Sequence, residues 1–553
     1  MKRLMSIVGI LIMVAVLIAA CGPAPTPQII EKEKVVEKPV VQTVIVEKEK
    51  VVEKAVVITA TPEAKKKPVL LTMSLNADLQ TLDFHALYQW EEEIVLTSIF
   101  EGLTTYDELM NPKPGLAESW TQPDDQTYIF KLRDAKFHNG RAVTAQDVKF
   151  SLERCITKQP KTKWADYLSD IDKIEAIDAK TVKITLKGVS APFLSNLVYA
   201  VIIPQEAAGT LETQPVGTGP YKFVGHKKNE YLLLEKFPDY WRGKLDIPDQ
   251  IRFIFVSDEQ SRLNNLKTGL VDVASVIPFQ HAADIKKDPK LRLWEPKGTV
   301  AYRYFMFKSS EPPFNDPKVR EAMQYVFDRE VLSKAVQFGF GDTQAVPAPP
   351  NHWAYLPPKE VPSKYDPEMA KKLLAEAGWK DTNNDKILDK DGKPFKIDYL
   401  IWSNWPEYVR MGEIAKEYMA AVGIEVNIVA KDMAVILDEV WAKHQFTFSA
   451  NQANREWDPD GLMVSVFSCK GRNNPMEFCD PAIDELFVQG RRTLDQAKRA
   501  EIYKEIQRRV VKDGPIYIIH TTPKFMPSTL RVDNFPITPK GHPLWPFIHV
   551  SDQ

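Results

Sequence analysis

The chemistry that this sequence offers is noncovalent binding, because tryptophans stand beside amide side chains where strands are predicted to end. An aromatic ring presents a large apolar face at little entropic cost, and neighbouring polar groups can orient a solute. Such loop-edge positions are where binding residues concentrate. Burial in the core is the alternative for Trp90, since tryptophan is commonly buried. The candidate ligand-binding residues are Tyr88, Gln89, Trp90, Trp402, Asn404, Trp405, Asn451, Gln452, Asn454, Arg455 and Trp457.

Signatures of catalysis are lacking in the sequence. It contains no Gly-x-Ser-x-Gly elbow, no His-Glu-x-x-His, no P-loop and no dinucleotide-binding glycine motif. Carboxylates are abundant, so counting residues leaves a glycosidase pair open. The sequence predicts a binding protein without a cofactor or metal, and an extracytoplasmic hydrolase is the rival of another class.

A polar loop at residues 381–392 imitates a calcium-binding loop. Lys386 stands where such a loop needs glycine, and Gly392 stands where it needs a bidentate glutamate. We therefore predict a polar hairpin loop, with calcium as the alternative.

The composition narrows the class of protein. A chain of 553 residues, 44% of them hydrophobic, exceeds one compact domain, so we expect two or three. Lys and Arg number 72 against 74 Asp and Glu, which leaves none of the positive charge that nucleic-acid binding requires. Four cysteines are few for a disulfide scaffold, so the fold must depend on its core.

The N-terminus predicts export and lipidation. Lys2 and Arg3 precede an apolar run over residues 4–20, which is typical of a signal peptide. The segment Ile18-Ala19-Ala20-Cys21 resembles the lipobox of bacterial lipoproteins, so Cys21 is the predicted lipidated residue. An uncleaved transmembrane anchor is the alternative. Either form of attachment places the remainder of the chain outside the cytoplasm. The predicted location is the outer face of the cytoplasmic membrane, which faces the periplasm or the cell surface.

A repeated, charged segment follows Cys21. Glu31 to Lys38 recurs as Glu47 to Lys54, and the mixture of paired valines, prolines and charges suits no packed core. We interpret residues 22–68 as a disordered tether; a coiled-coil stalk is disfavoured because Pro39 interrupts any helix.

Strand and helix patterns intermix beyond the tether, which predicts a mixed α/β class. Period-two or β-branched runs predict strands at 69–75, 127–132, 181–186 and 397–401. A capping box at Thr144 and Asp147 predicts a helix that continues through Leu152. Further helices are predicted at 370–377, 414–421 and 497–511.

Several motifs follow one another in fixed order: Leu116-Ala117-Glu118-Ser119-Trp120, Lys136-Phe137-His138-Asn139-Gly140, Gly217-Thr218-Gly219-Pro220-Tyr221, Phe314-Asn315-Asp316-Pro317, Tyr365-Asp366-Pro367 and Asp458-Pro459-Asp460-Gly461. Together they resemble the family 5 solute-binding proteins of ABC importers, a group with dipeptide-, oligopeptide- and nickel-binding members. The resemblance extends over residues 69–553. Locally, the glycines at 217 and 219 are expected to set a tight turn through their tolerance of positive φ.

This resemblance implies a two-lobed periplasmic-binding-protein fold of type II, cluster C, with a satellite domain. Lobe I would comprise residues 69–109, 215–309 and 523–553, the satellite domain 110–214 and lobe II 310–522. A solute held between the lobes would stabilise the closed form, which importer permease subunits recognise. The receptor is expected to act as a monomer, with a peptide as ligand; an oligosaccharide or an anionic solute is the alternative.

Two details of the resemblance concern individual residues. Peptide-binding relatives place an aspartate for the ligand's α-ammonium at the position of Arg455, and a guanidinium would repel that group. Arg455 could instead bind a carboxylate or form a surface ion pair. Glu456 could replace the missing aspartate, but adjacent residues on an extended backbone point in opposite directions. The family also carries a bridge in the loop of Cys469 and Cys479, so a disulfide is expected there, while Cys155 is expected to be buried.

Overall fold

The computed structural model describes residues 67–87, 89–157, 163–361, 363–403, 405–454 and 456–551. The predicted signal peptide, Cys21 and nearly all of the tether lie outside these ranges.

No helix within the described ranges is long and apolar enough to span a membrane.

The elements follow in mixed order along the chain. The strands are β1 Leu70–Leu75, β2 Thr104–Tyr106, β3 Pro112–Pro114, β4 Ala117–Asp124, β5 Thr127–Leu132, β6 Ile171–Ala176, β7 Thr181–Leu186, β8 Tyr221–Lys227, β9 Tyr231–Lys236, β10 Gln250–Phe255, β11 Val273–Ala274, β12 Leu291–Trp294, β13 Ala301–Phe307, β14 Asp389–Lys390, β15 Lys393–Pro394, β16 Lys396–Trp402, β17 Glu425–Lys431, β18 Phe448–Asn454, β19 Ile516–Thr521, β20 Met526–Thr529, β21 Val532–Asn534 and β22 His549–Val550. The α-helices are α1 Trp90–Leu96, α2 Ala145–Thr157, α3 Lys163–Tyr167, α4 Phe193–Asn196, α5 Glu259–Lys267, α6 Ala282–Lys287, α7 Pro317–Val326, α8 Arg329–Gln337, α9 Pro367–Glu376, α10 Pro406–Ala420, α11 Met433–Ile436, α12 Pro459–Phe467, α13 Pro481–Arg492 and α14 Gln496–Asp513.

A seven-stranded sheet organises one part of the molecule. Its order is β12-β20-β11-β1-β10-β9-β8, and β1 runs parallel to both of its neighbours. Its strands come from the first part of the described chain and, through β20, from the C-terminal segment. A separate four-stranded sheet, β4-β5-β7-β6, is antiparallel.

A five-stranded sheet organises the other part, in the order β17-β16-β18-β13-β19. Strand β13 lies between β18 and β19 and is antiparallel to both. All seven β13 residues are buried, with Phe305 and Phe307 in one core cluster and Tyr304 and Met306 in another. Because side chains alternate along a strand, the two clusters lie on opposite faces of the sheet.

The local predictions for secondary structure are confirmed. Strands β5 and β7 have the predicted bounds, the helix predicted at 497–511 lies within α14, and those predicted at 370–377 and 414–421 overlap α9 and α10 but extend one residue past their C-terminal ends. At the start of α2, Asp147 Oδ2 accepts from Thr144 N at 2.9 Å, and Asp147 N donates to Thr144 Oγ1 at 3.4 Å, which is the expected capping box.

Aspartate-proline pairs begin several helices. In each pair the aspartate side chain accepts a hydrogen bond from a backbone N–H of the first turn, and the proline occupies a position that needs no donor. Several sequence motifs are therefore helix-start signals. The pairs begin α7 (Asp316), α9 (Asp366), α12 (Asp458) and α13 (Asp480).

The predicted reason for Gly217 and Gly219 is wrong. Neither glycine is among the residues with positive φ. A Cβ at Gly217 would lie 2.0 Å from Ile99 O, and one at Gly219 would lie 2.4 Å from Ser98 O. The glycines are needed because this segment crosses the backbone after α1 at close range.

Candidate functional site

Arg303 is a cation on the buried central strand β13. Its side chain lies on the same sheet face as Phe305 and Phe307, and although it is charged it is only 3% exposed. Its Nη2 forms an ion pair with Glu407 in the first turn of α10. The guanidinium carbon lies 4.7 Å from the ring centroid of Tyr408. Nε and Nη1 have no hydrogen-bond partner among the described residues.

Other buried polar groups surround Arg303. His520, the partner of Arg303 on β19, is fully buried, and neither of its ring nitrogens bonds to a described residue. Burial lowers the pKa of His520 to about 3, with a further contribution from the charge of Arg303, so the imidazole is neutral at neutral pH. Thr522 follows β19, and its Oγ1 also lacks a partner in the described part of the chain.

Gln337 completes this group at the end of α8. Its side chain is fully buried, and neither its Oε1 nor its Nε2 is hydrogen-bonded within the described ranges. A Cβ built on Gly341 would lie 2.6 Å from Gln337 Oε1 and 2.4 Å from Thr521 O, which places the amide beside the end of β19. We call Arg303, Gln337, His520 and Thr522 the Arg303 cluster.

Trp90 and Lys524 approach the Arg303 cluster from the side of the seven-stranded sheet. Lys524 Nζ lies 5.1 Å from the ring centroid of Trp90, whose Nε1 donates to Lys540 O at 3.0 Å. Burial lowers the pKa of Lys524, and so does the charge of Arg303, whereas Glu91 and Glu407 act in the opposite direction. Lys524 is therefore close enough to Arg303 for each charge to influence the other.

A second buried ion network joins three distant chain segments. Lys540 Nζ lies 2.6 Å from Glu93 Oε2 in α1 and 3.1 Å from Glu456 Oε1, just after β18. All three side chains are less than a tenth exposed. Burial alone lowers the pKa of Lys540, but the two carboxylates outweigh it, so the pKa is raised and the ammonium stays charged. Glu456, considered for a ligand ammonium in the sequence analysis, thus binds a lysine of the chain.

The sequence-predicted residues fall into distinct surroundings. Trp90 lies beside Lys524, and Gln452 on β18 is the register partner of Arg303. Trp402 and Trp405 pack against each other with ring centroids 5.1 Å apart. Trp457 is buried against His352 with centroids 4.8 Å apart.

The remaining candidate ligand-binding residues either have polar contacts or fall outside the described ranges. Asn451 Nδ2 donates to Tyr304 Oη at 3.1 Å, and Gln89 N donates to Glu92 Oε2 at 2.9 Å. Asn454 Oδ1 is buried and has no partner within the ranges described. Tyr88, Asn404, Arg455 and the predicted lipidation site Cys21 lie outside the described residues.

The structure adds residues that the sequence analysis missed. Arg303 and His520 stand in largely apolar strands, and an ionisable residue in such a strand was the available signal. Lys524 and Lys540 lie in the C-terminal segment, where no local pattern distinguished them. They come together only because β20 and the following chain return to the seven-stranded sheet.

The two loops singled out in the sequence are stabilised locally. Cys469 and Cys479 form a disulfide with Cα atoms 4.3 Å apart. In the 381–392 loop, Asp381 accepts from Asn384 N at 2.7 Å and from Lys386 N at 3.0 Å, so that carboxylate caps the loop's own backbone. Cys155 is fully buried in α2.

Buried polar groups without partners among the described residues are typical of a site that binds a ligand. A family model described as Bacterial extracellular solute-binding proteins, family 5 Middle, matches residues 111–474. The chain belongs to this family. It is thus the substrate-binding protein of an ABC importer, extracytoplasmic and not an enzyme, and it has the family's two-lobed fold.

Relatives of known structure or name agree with this membership. The Glutathione-binding protein GsiB of Pectobacterium atrosepticum is 29% identical over 466 residues, which cover 81% of this chain and 87% of the relative. NikZ from Campylobacter jejuni, solved with Ni(L-His), has a TM-score of 0.76 at 26% identity and covers 86% of this chain and 96% of its own. AgaA from A. tumefaciens R10, solved with agropinic acid, has a TM-score of 0.72 at 29% identity and covers 88% and 99%.

Proposed function

We propose that this receptor captures short peptides between its two lobes for import. The observation that carries the proposal is the Arg303 cluster: buried donors and acceptors without partners in the described chain, next to the rings of Trp405 and Tyr408. Leaving a buried polar group unsatisfied costs about 1–3 kcal/mol, so a solute that supplies the missing partners would be favoured. A peptide supplies both backbone N–H and C=O groups.

The named relative supports the same class of solute. GsiB is a glutathione-binding protein, and glutathione is a tripeptide. The likeness covers most of both chains. We therefore extend the peptide assignment from that relative to this chain.

The tryptophans offer less support for an oligosaccharide. Sugar rings need an accessible aromatic face on which to stack. Trp402, Trp405 and Tyr408 instead pack on one another, with centroids 5.1–5.4 Å apart. Their ring faces are partly taken by neighbours of the same chain.

Peptides should stabilise the purified full chain against heat and be recovered unchanged. At a ligand concentration 100 times its Kd, one-site linkage gives about 2.7 kcal/mol of stabilisation. The measurement is a melting-temperature screen with di- to pentapeptides, glutathione and oligosaccharides, followed by mass analysis of the recovered solute. Hits confined to oligosaccharides would refute the peptide assignment, and hydrolysed hits would contradict binding without turnover.

We further propose that Cys21 carries the lipid that holds this receptor at the membrane. The support is the sequence alone: a basic start, an apolar run and the small residues before Cys21. Stable anchoring takes more than one acyl chain, which a diacylglyceryl cysteine supplies. The charged, proline-containing segment after Cys21 would then be a hydrated tether that lets the lobes reach the permease.

Cys21→Ala should abolish the incorporation of fatty acid into the protein, because the thiol that would carry the acyl chains is gone. The measurement is fatty-acid labelling together with cell fractionation in the expressing bacterium. Cys155→Ala is the matched control, because that thiol is buried in α2 and its loss should leave the label in place. Unchanged labelling of the Cys21→Ala variant would exclude this residue as the anchor.

A further inference from the structure

Arg303 occupies a position that the rest of its strand uses for core packing. The residues two and four places further along the same face, Phe305 and Phe307, are fully buried aromatics. Placing a guanidinium there carries a desolvation cost, and such a cost is retained when the charge has a binding role. Its ion pair with Glu407 uses one of the three nitrogens.

The remaining nitrogens restrict what the missing partner can be. Guanidinium N–H groups only donate, so Nε and Nη1 need acceptor oxygens. Charge-assisted hydrogen bonds to an anion are about twice as strong as neutral ones. Among the described residues, neither nitrogen has such an acceptor.

The groups around Arg303 can complete the coordination of an anionic oxygen. The neutral His520 can donate from one ring nitrogen, Gln337 Nε2 and Thr522 Oγ1 can also donate, and all are buried without partners in the described ranges. Lys524 adds a second cation from the side of Trp90. Two acidic groups, Glu407 and Glu91, also act on this region. The two cations, Arg303 and Lys524, are therefore accompanied by two carboxylates, and the net charge of the region is close to zero.

We infer that the captured solute carries a carboxylate and that Arg303 receives this group, with Lys524 as the second cation. This inference rests on the proposed capture of a solute, but not on that solute being a peptide. The carboxylate can be the C-terminus of a peptide, an acidic side chain or part of another organic acid. In all three cases the ring of Trp90, beside Lys524, is placed to contact the rest of the molecule.

The test compares acids with their amides on the purified full chain. Calorimetry and thermal shift would be run with glutathione, tripeptides with free or amidated C-termini, amidated tripeptides containing Glu or Gln, and non-peptide dicarboxylic acids with their diamides. We expect each bound acid to exceed its amide in affinity. Arg303→Met should weaken acid binding about 100-fold and remove the difference between acid and amide. Arg303→Lys should retain part of that difference.

Arg410→Met is the matched control for this test. Arg410 lies on α10, donates to Ala335 O at 2.8 Å and lies over the ring of Phe338, so its loss should not affect the acid preference. Amides that bind as tightly as acids, or acid binding that survives Arg303→Met, would overturn the inference. Failure of every solute to bind wild-type protein would instead count against the capture function.

A second readout needs no solute. Arg303→Met removes a buried guanidinium with two unpaired nitrogens, and the Glu407 carboxylate that it leaves behind is about a quarter exposed and can be solvated, so the melting temperature should fall less than that of a variant that loses a fully paired arginine. Arg320 provides the contrast, because its Nε and Nη1 donate to Asp513 O and Phe314 O, both at 2.7 Å, and Arg320→Met should lower the melting temperature. A drop for Arg303→Met as large as that for Arg320→Met would show a structural role and refute the inference.

Discussion

Lys540→Met should destabilise the folded protein by about 3–5 kcal/mol, because it removes the cation from a buried ion network. The ammonium lies 2.6 Å from Glu93 and 3.1 Å from Glu456, and both carboxylates are less than a tenth exposed. Methionine fills similar volume, so the loss is electrostatic rather than a cavity effect. The measurement is the free energy of unfolding from urea titration at pH 8.

The pH dependence identifies the cause of this loss. A buried carboxyl that has lost its cation can take up a proton in the folded state, so the penalty of Lys540→Met should shrink between pH 8 and pH 5. Lys334→Met is the control, since Lys334 and Glu330 form an exposed pair at 3.7 Å, which contributes about 0–1 kcal/mol. A penalty independent of pH, or no larger than that of the control, would contradict the electrostatic account.

The network also bears on how the two parts of the fold meet. Glu93 belongs to α1, Glu456 follows a strand of the five-stranded sheet, and Lys540 belongs to the C-terminal segment that follows β20. One buried ammonium thus connects chain segments from both sheet-based parts.

Local signals in the sequence predicted the secondary structure well. The strands at 127–132 and 181–186 and the capping box at Thr144 follow from propensity and hydrogen bonding within a few residues, and the structure has them. The Gly217-Thr218-Gly219 motif shows where such reasoning ends. Its glycines are explained by the carbonyls of Ser98 and Ile99, which are distant in the chain, so only the tertiary fold reveals their role.

The candidate site was predictable only in part, because some of its residues carry a local signal and others are brought together by the tertiary fold. Trp90 and Gln452 stand near Lys524 and Arg303, as an aromatic and amide-rich site would suggest, although their ligand contacts stay a prediction. Arg303 escaped notice because the other residues of the strand Ala301–Phe307 are apolar or aromatic, as expected of a buried strand. Its surroundings come from elsewhere in the chain: the sheet pairs it with His520, and the Gln337 amide lies beside the end of the same strand β19.

Trp457 illustrates the opposite difficulty. Its position before an Asp-Pro pair at the end of a polar segment suggested a ligand contact, but the ring packs in the core against His352. Tryptophan combines a large apolar surface with a polar edge, and the sequence alone cannot distinguish the two uses.

The Arg499 and Asp458 pair supports the start of α12 from within the core. Arg499 Nη1 and Nη2 each donate to Asp458 at 2.7 Å, and both side chains are less than a tenth exposed. Burial disfavours the charged guanidinium, but the charge of Asp458 and these hydrogen bonds outweigh it, so the pKa of Arg499 is raised. Asp458 also caps α12 by accepting from Asp460 N at 2.9 Å.

Arg499→Met should therefore reduce the free energy of unfolding by about 3–5 kcal/mol, since it leaves the Asp458 carboxylate buried without its bidentate partner. Adding Asp458→Asn should recover part of this loss, because asparagine keeps the helix cap and no charge then remains buried at the pair. Arg508→Met on the same helix is the control, because its pair with Glu360 is about one-third exposed on each side and contributes little. The measurement is urea unfolding of the two single variants, the control and the double variant. If the double variant is less stable than Arg499→Met alone, the uncompensated carboxylate is not the source of the loss.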